Sequence, residues 1–289
     1  MATALVTNLL GDMRRSLGER LFERVAGPEG PRRRDRVHGT EGPRWFEEGS
    51  PIQQVHGDAS MFVGGIRALL LQSLHPLAMA GVMDHSAFEG DPWGRLQRTS
   101  YFLAVTTFGT AADAEKMVAA VRKVHETVVG TAPDGRRYSA TDPHVLRWVH
   151  IAEIDSFLVA HQRYGSRPLD AEGRDTYVAQ TARVAEALGV LDPPRTEAEL
   201  RLQLAAYRPE LQSTPAARKT ARFLLLHPPL PVLVRAPYAG LAASAVALLP
   251  VWARRKLRLP YLPLTERVVV GAVGSALTRT IRWAMVALG

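Results

Sequence analysis

The sequence predicts an all-α fold, packed as a single helical domain. Three observations predict it. Apolar residues recur at helical spacing with no sustained two-residue alternation, segment ends carry helix caps and stops, and 289 residues with 46% hydrophobic content suffice for one large core. The expected organisation is an N-terminal helix and arm over residues 1–43, followed by a helical domain over 44–289.

MATALVTNLLGDMRRSLGERLFERV reads as a basic amphipathic helix. Its charge follows the apolar residues instead of preceding them, which is the reverse of a secretory signal. Arg14–Arg15 could suggest twin-arginine export, but no apolar run follows the pair. Residues 27–43, rich in Gly, Pro and Arg, read as a linker or extended arm. DASMFVGGIRALLLQSLHPLAMAGVM offers an Asp or Ser cap and a long apolar helix, which Pro76 should kink or restart after His75. RLQRTSYFLAVTTFG is the next helix, ending at Gly109.

In TAADAEKMVAAVRKVHETVVG, Thr110 and Asp113 make a capping pair and Gly130 a stop. Met117, Val121, Val124 and Val128 are spaced as one stripe, and His125 falls about 40° from Val121, pointing inward. TDPHVLRWVHIAEIDSFLVAHQRYG starts with Asp142 as cap and Pro143 at the first helical position, and is apolar nearly all round, so it should be central. Amphipathic helices continue from Arg174 to the end, broken by the Pro-rich loop HPPLPVLVRAPY.

Composition removes several chemistries. The absence of cysteine excludes disulfides, thiolate metal sites, iron–sulfur clusters and covalent CxxCH haem. The net charge of +8 suits an anionic cofactor or an anionic membrane face. Without a recognition motif, no nucleic-acid partner is expected. No run reaches the ~18 to 20 apolar residues of a membrane span, so the expected location is cytoplasmic. Peripheral membrane contact through APYAGLAASAVALLPVWARRKLRLP stands beside the alternative of two docked helices.

Motifs narrow the field further. No GxSxG, GxGxxG, Walker A or HExxH occurs. No histidine has Glu three residues before it, and Glu153 and Asp155 point apart, so a di-iron carboxylate site is not supported. His56 and Asp58 match half of a facial triad, but Asp58 reads better as a cap. What remains is an inward imidazole, His125, in an apolar helical interior with arginines nearby. A hydrogen-bonded core histidine explains it, and so does a non-covalent haem b site.

The order of HP at 75–76, HS at 85–86, DP at 91–92, RxxRT at 95–99, FG at 108–109 and HxxxxG at 125–130 resembles the latex-clearing-protein/MpaB family, which includes the rubber oxygenases. The similarity extends through residues 142–165, ALGVLDPP, RPELQST, LLHPPLP and LPVWARRKLRLP. The resemblance implies globin-like helical packing around a haem b pocket and an oxygenase that cleaves an apolar, isoprenoid-like substrate with dioxygen. It implies His125 as the iron ligand, with Arg95 and Thr99 on the opposite pocket wall. Arg98 stands where the rubber oxygenases carry a lysine, and a guanidinium has no lone pair for iron. Arg98 is then expected to serve the distal side or a propionate, and Arg122 or Arg67 to balance propionate charge or form surface ion pairs. Met79 stands near the family's catalytic glutamate, for which Asp84, His85 or Glu89 could substitute. His85, beside Ser86, is a distal hydrogen-bonding candidate or a helix-end cap. His75 reads as structural at the kink, and His150 and His161 as packing groups or propionate neighbours. A haem- or lipid-binding protein without turnover is the alternative, and a cofactor-free helical protein a third.

Overall fold

The computed structural model describes residues 2–85 and 90–286, with side chains from residue 11 onward except those of Met13 and Leu233. In chain order the helices are α1 (Ala2–Ala26), α2 (Gly30–Gly39), α3 (Pro51–His56), α4 (Met61–Gln72), α5 (Pro76–His85), α6 (Pro92–Phe108) and α7 (Ala111–Thr127). A hairpin of β1 (Val129–Thr131) and β2 (Arg137–Ser139) follows. Next come α8 (Pro143–Tyr164), α9 (Ala171–Leu188), α10 (Glu197–Ala206), α11 (Pro215–Leu226), α12 (Val232–Leu248) and α13 (Val251–Leu257). The chain closes with α14 (Pro263–Thr265), a π-turn (Glu266–Val270) and α15 (Gly271–Met285).

The caps work as their chemistry dictates. The Thr110 hydroxyl accepts from the Asp113 amide, and the Asp142 carboxylate accepts from the His144 amide beside Pro143. Asp91 does the same for α6 through Gly94. α4 and α8 are the central pair. Gly64 lets α8 approach closely, since a Cβ there would meet the Phe157 ring and backbone at 3.0–3.2 Å. Trp148 is fully buried in this seam and donates its indole N–H to the Gln72 carbonyl. Arg67 is also buried there, paired with Asp155 at 2.8 Å and donating to Ser156 and to the Leu248 carbonyl. At Pro76 the chain turns by 107° between α4 and α5, because proline cannot supply the next amide.

Three elements differ from expectation. The stretch expected as an extended arm contains α2, which starts with Pro31 in its first turn and is tied to the body by Arg36–Asp113 at 2.9 Å. α7 stops at Thr127 instead of Gly130, because Gly130 enters β1, where the Tyr138 ring leaves no room for a Cβ. The apolar run of α12 is absorbed by the core through Leu241, Ala242, Ala245 and Val246, so it is not a free face. Among the described residues no single helix is long and apolar enough to cross a membrane.

Candidate functional site

α6 carries cover on one face. Arg24 lies over Trp93, Gln97 abuts Gly27, and Arg33 lies over Tyr101, so α1 and α2 occupy that side. At 100° per residue, Arg95, Thr99 and Phe102 point about 140–160° away from Gln97. Thr99 is exposed, and Arg95 and Phe102 are half-buried. Burial and the neighbouring Arg98 charge lower the Arg95 pKa. Arg98 sits only about 100° from Gln97; it is exposed and pairs with the cap carboxylate of Asp91 at 3.1 Å.

α7 presents Ala114, Met117, Val118, Val121 and His125 along one stripe, with Ala114 and Val118 buried. Val124, expected in this stripe, is 60% exposed, because it lies about 100° from Val121. The His125 ring is half-buried, its Nδ1 is enclosed without a hydrogen-bond partner, and burial lowers its pKa. A neutral imidazole at physiological pH keeps one nitrogen lone pair, which metal coordination requires.

α8 supplies the third wall. His150 and Glu153 are three residues apart on the side turned away from α4. Both are half-buried by contact yet strongly desolvated: burial lowers His150 to about 4 and raises the Glu153 carboxyl to about 7. His150 Nε2 is likewise enclosed without a partner, as are His75 Nε2 and His161 Nδ1. α6 packs on α7 and α7 on α9, while neither α6 nor α7 packs extensively against α8. Glu153 lies near the fully buried Tyr177 of α9, whose pKa it helps to raise. Half-buried Val82 of α5, Leu103 and Val149 lie at the edge of the main core.

The other predicted residues lie elsewhere. Arg122 is exposed at the α7–α9 seam and donates to the Ala187 carbonyl. His85 is exposed, with Nε2 3.2 Å from the Val129 carbonyl, and so ties α5 to the hairpin. Asp84 accepts from the Tyr138 hydroxyl at 2.6 Å. Arg67 is consumed by Asp155. Met79 is buried with Thr220 against its sulfur. Ser86 and Glu89 lie outside the described residues. His56 and Asp58 do not act together: His56 Nδ1 meets Thr107 at 2.8 Å, whereas Asp58 pairs with Arg282 and accepts the Ser60 and Ser166 amides.

Sequence reasoning missed two features. Glu153 was weighed only against Asp155, although its three-residue spacing from His150 was the available signal. The second is a cluster assembled from distant positions. His75 and His144 both approach Glu210, at 3.8 and 2.8 Å, with ligand-type atoms all within 4.8 Å of one another. These residues come from the HP, DPH and RPEL blocks. A metal is a possible tenant by donor type, but the hydrogen bonding argues otherwise. His75 Nδ1 accepts the Ala78 amide at 3.2 Å, so its Nε2 retains the proton, whereas a metal-bound imidazole donates through its other nitrogen. The Tyr207 hydroxyl donates to the His144 carbonyl at 2.8 Å and stacks its ring on that imidazole, completing a hydrogen-bonded network.

The sequence profile of the family described as "ER-bound oxygenase mpaB/B'/Rubber oxygenase, catalytic domain" matches residues 53–283. The chain belongs to this family. It is 29% identical over 127 residues to "Uncharacterized protein Rv2237" of Mycobacterium tuberculosis and to "Uncharacterized protein Mb2261" of Mycobacterium bovis. That alignment covers 42% of this chain and 49% of each relative, so the chain spans about half the length of the curated relatives it matches. No solved structure matches it. Family membership and the all-helical architecture agree with the resemblance drawn from the sequence motifs.

Proposed function

We propose that the protein is a haem b-dependent oxygenase acting with dioxygen on an apolar, unsaturated, isoprenoid-like substrate. The observation that carries this is a pair of enclosed imidazole nitrogens without hydrogen-bond partners, on His125 of α7 and His150 of α8. Buried polar atoms are nearly always satisfied, so such orphans, which also include His75 Nε2 and His161 Nδ1, are places where a ligand would complete the bonding. The residues fit haem b: a neutral histidine for iron, half-buried apolar walls, and Arg95 on the facing helix for a propionate.

When bound, the haem supplies the redox chemistry of oxygen activation. This chain's residues hold and shape the site. His125 binds from α7. Arg95 and Thr99 line the α6 wall, and Arg98 pairs with Asp91. Val82, Leu103 and Val149 exclude water and favour an apolar substrate. Glu153, protonated below about pH 7, is a carboxyl able to give or take a proton.

A second reading, a haem binder without turnover, is favoured by one observation. Met79, near where the family's catalytic glutamate falls, is a buried thioether packed against Thr220. An absorbance spectrum after reconstitution with haemin tests the first claim. A Soret band is expected in the wild type and not in a folded His125→Ala variant; a folded protein that takes up no haemin sinks both readings. Oxygen uptake with unsaturated terpenoids then separates enzyme from binder.

A further inference from the structure

The C-terminal helical run exposes an apolar stripe. Leu264 is 80% and Val268 67% exposed, and Leu262, Val269 and Val273 are also bare. Leu264 and Val268 are four apart, as are Val269 and Val273, and the exposed Ala272 and Ala276 continue the same helical strip. The π-turn lies within this strip, so its extra residue per turn widens the apolar face. Further along α15 the cover returns, with Arg14 of α1 over Trp283.

Arginines flank the stripe in sequence. Arg255 and Arg258 at the end of α13 and Arg267 in the π-turn are exposed, and no ion pair joins any of them to an acid among the described residues. Glu266, the nearby carboxylate, is consumed by Arg254 at 2.7 Å. The chain as a whole carries +8.

We propose that this stripe rests in the headgroup region of an anionic lipid bilayer, with Leu264 and Val268 inserted and Arg255, Arg258 and Arg267 on the phosphates. Apolar side chains flanked by unpaired arginines are what an interfacial helix needs. A second copy of the chain fits less well. A two-fold contact on this face would bring the three arginines against their own copies with no acid to meet them. A span is excluded for α15 itself, since Arg279 and Arg282 interrupt it and Arg282 is held by Asp58. This inference does not depend on the haem reading.

Vesicle co-sedimentation of the full chain tests it, with phosphatidylcholine vesicles alone and with phosphatidylglycerol added. The expected result is sedimentation with the anionic vesicles only, weakening as salt rises. Partitioning should fall about fivefold for each of Arg255, Arg258 and Arg267 changed to serine. Leu264→Asp with Val268→Asp should abolish it while circular dichroism and melting stay as in the wild type. Three results overturn the proposal: no binding to anionic vesicles, binding that survives the double aspartate variant, or a dimer in light scattering that this variant dissociates. If the double variant does not fold, Leu264→Ser with Val268→Ser is read the same way.

Discussion

Two pairs of histidines, His75 with His144 and His125 with His150, differ in what surrounds their nitrogens. Toward α5, His75 caps a helix through Nδ1 and stacks on Trp148, while His144 meets Glu210 and Tyr207. His150 on α8 and His125 on α7 each enclose a nitrogen without a hydrogen bond. His75, His125 and His150 are all desolvated while His144 is exposed, so burial alone does not separate a structural histidine from a ligand. Partners separate them only in part: His144 uses both ring nitrogens and His75 uses Nδ1, while His75 Nε2, 3.8 Å from Glu210, lacks a hydrogen bond as His125 Nδ1 and His150 Nε2 do.

Acid should expose this difference most strongly. Burial places His56 at about 3 and His75 and His150 at about 4 in the folded chain, against 6.5 for the ordinary group. The unfolded chain therefore binds more protons below pH 6.5. The stability these groups contribute is complete above 6.5 and is lost as pH falls toward 3–4. Summed over three sites the loss is on the order of several kcal/mol. Urea titrations of the haem-free protein from pH 7.5 to about 4 should show it. A flat profile would mean that these imidazoles are accessible to protons and to water. His150→Gln should remove part of the slope.

Next in size is the contrast between His75→Ala and His125→Ala. The first deletes a helix cap and a ring stacked on Trp148 in a fully buried site, and should cost about 2–4 kcal/mol. The second removes a half-buried ring with an unsatisfied nitrogen, and should cost no more than about 1 kcal/mol in the haem-free protein. Equal losses would end the distinction between the two groups.

Much of this was legible beforehand, for local reasons. Caps at Thr110 and Asp142, the break at Pro76 and the inward aim of His125 depend on residues within one or two turns of each other. α2 escaped because Pro31 and its arginines read as breakers, whereas Pro in a first turn is compatible with a helix and Arg36 gains Asp113 from a distant segment. Arg98 was read from its motif, but it is exposed and paired with Asp91. The His75–Glu210–His144 cluster draws on three separate stretches, so no spacing rule could assemble it.

Glu153→Gln should have a smaller effect, of the opposite pH sign. The folded carboxyl titrates at about 7 against an ordinary 4.5, so the folded state binds the extra proton. Its contribution is full below 4.5 and is lost as pH rises through about 7. The amide variant should therefore be more stable than the wild type at pH 8, by about 1–3 kcal/mol, and indistinguishable near pH 4.5. A variant less stable at both pH values would show that the carboxylate has a partner.

The smallest effect tests the partnered group. Glu210 is part-exposed, and Glu210→Gln keeps an acceptor for His144 Nε2 while removing the charge. The loss should be about 1 kcal/mol, a melting shift of about 2–4 °C for a chain of this size. The rival outcome concerns metal. Zinc that raises the melting temperature of the wild type but not of Glu210→Gln would mean that His75 gives up its bond to the Ala78 amide to bind an ion. With that bond intact, zinc should leave both proteins unchanged, because His75 Nε2 keeps its proton and offers no lone pair.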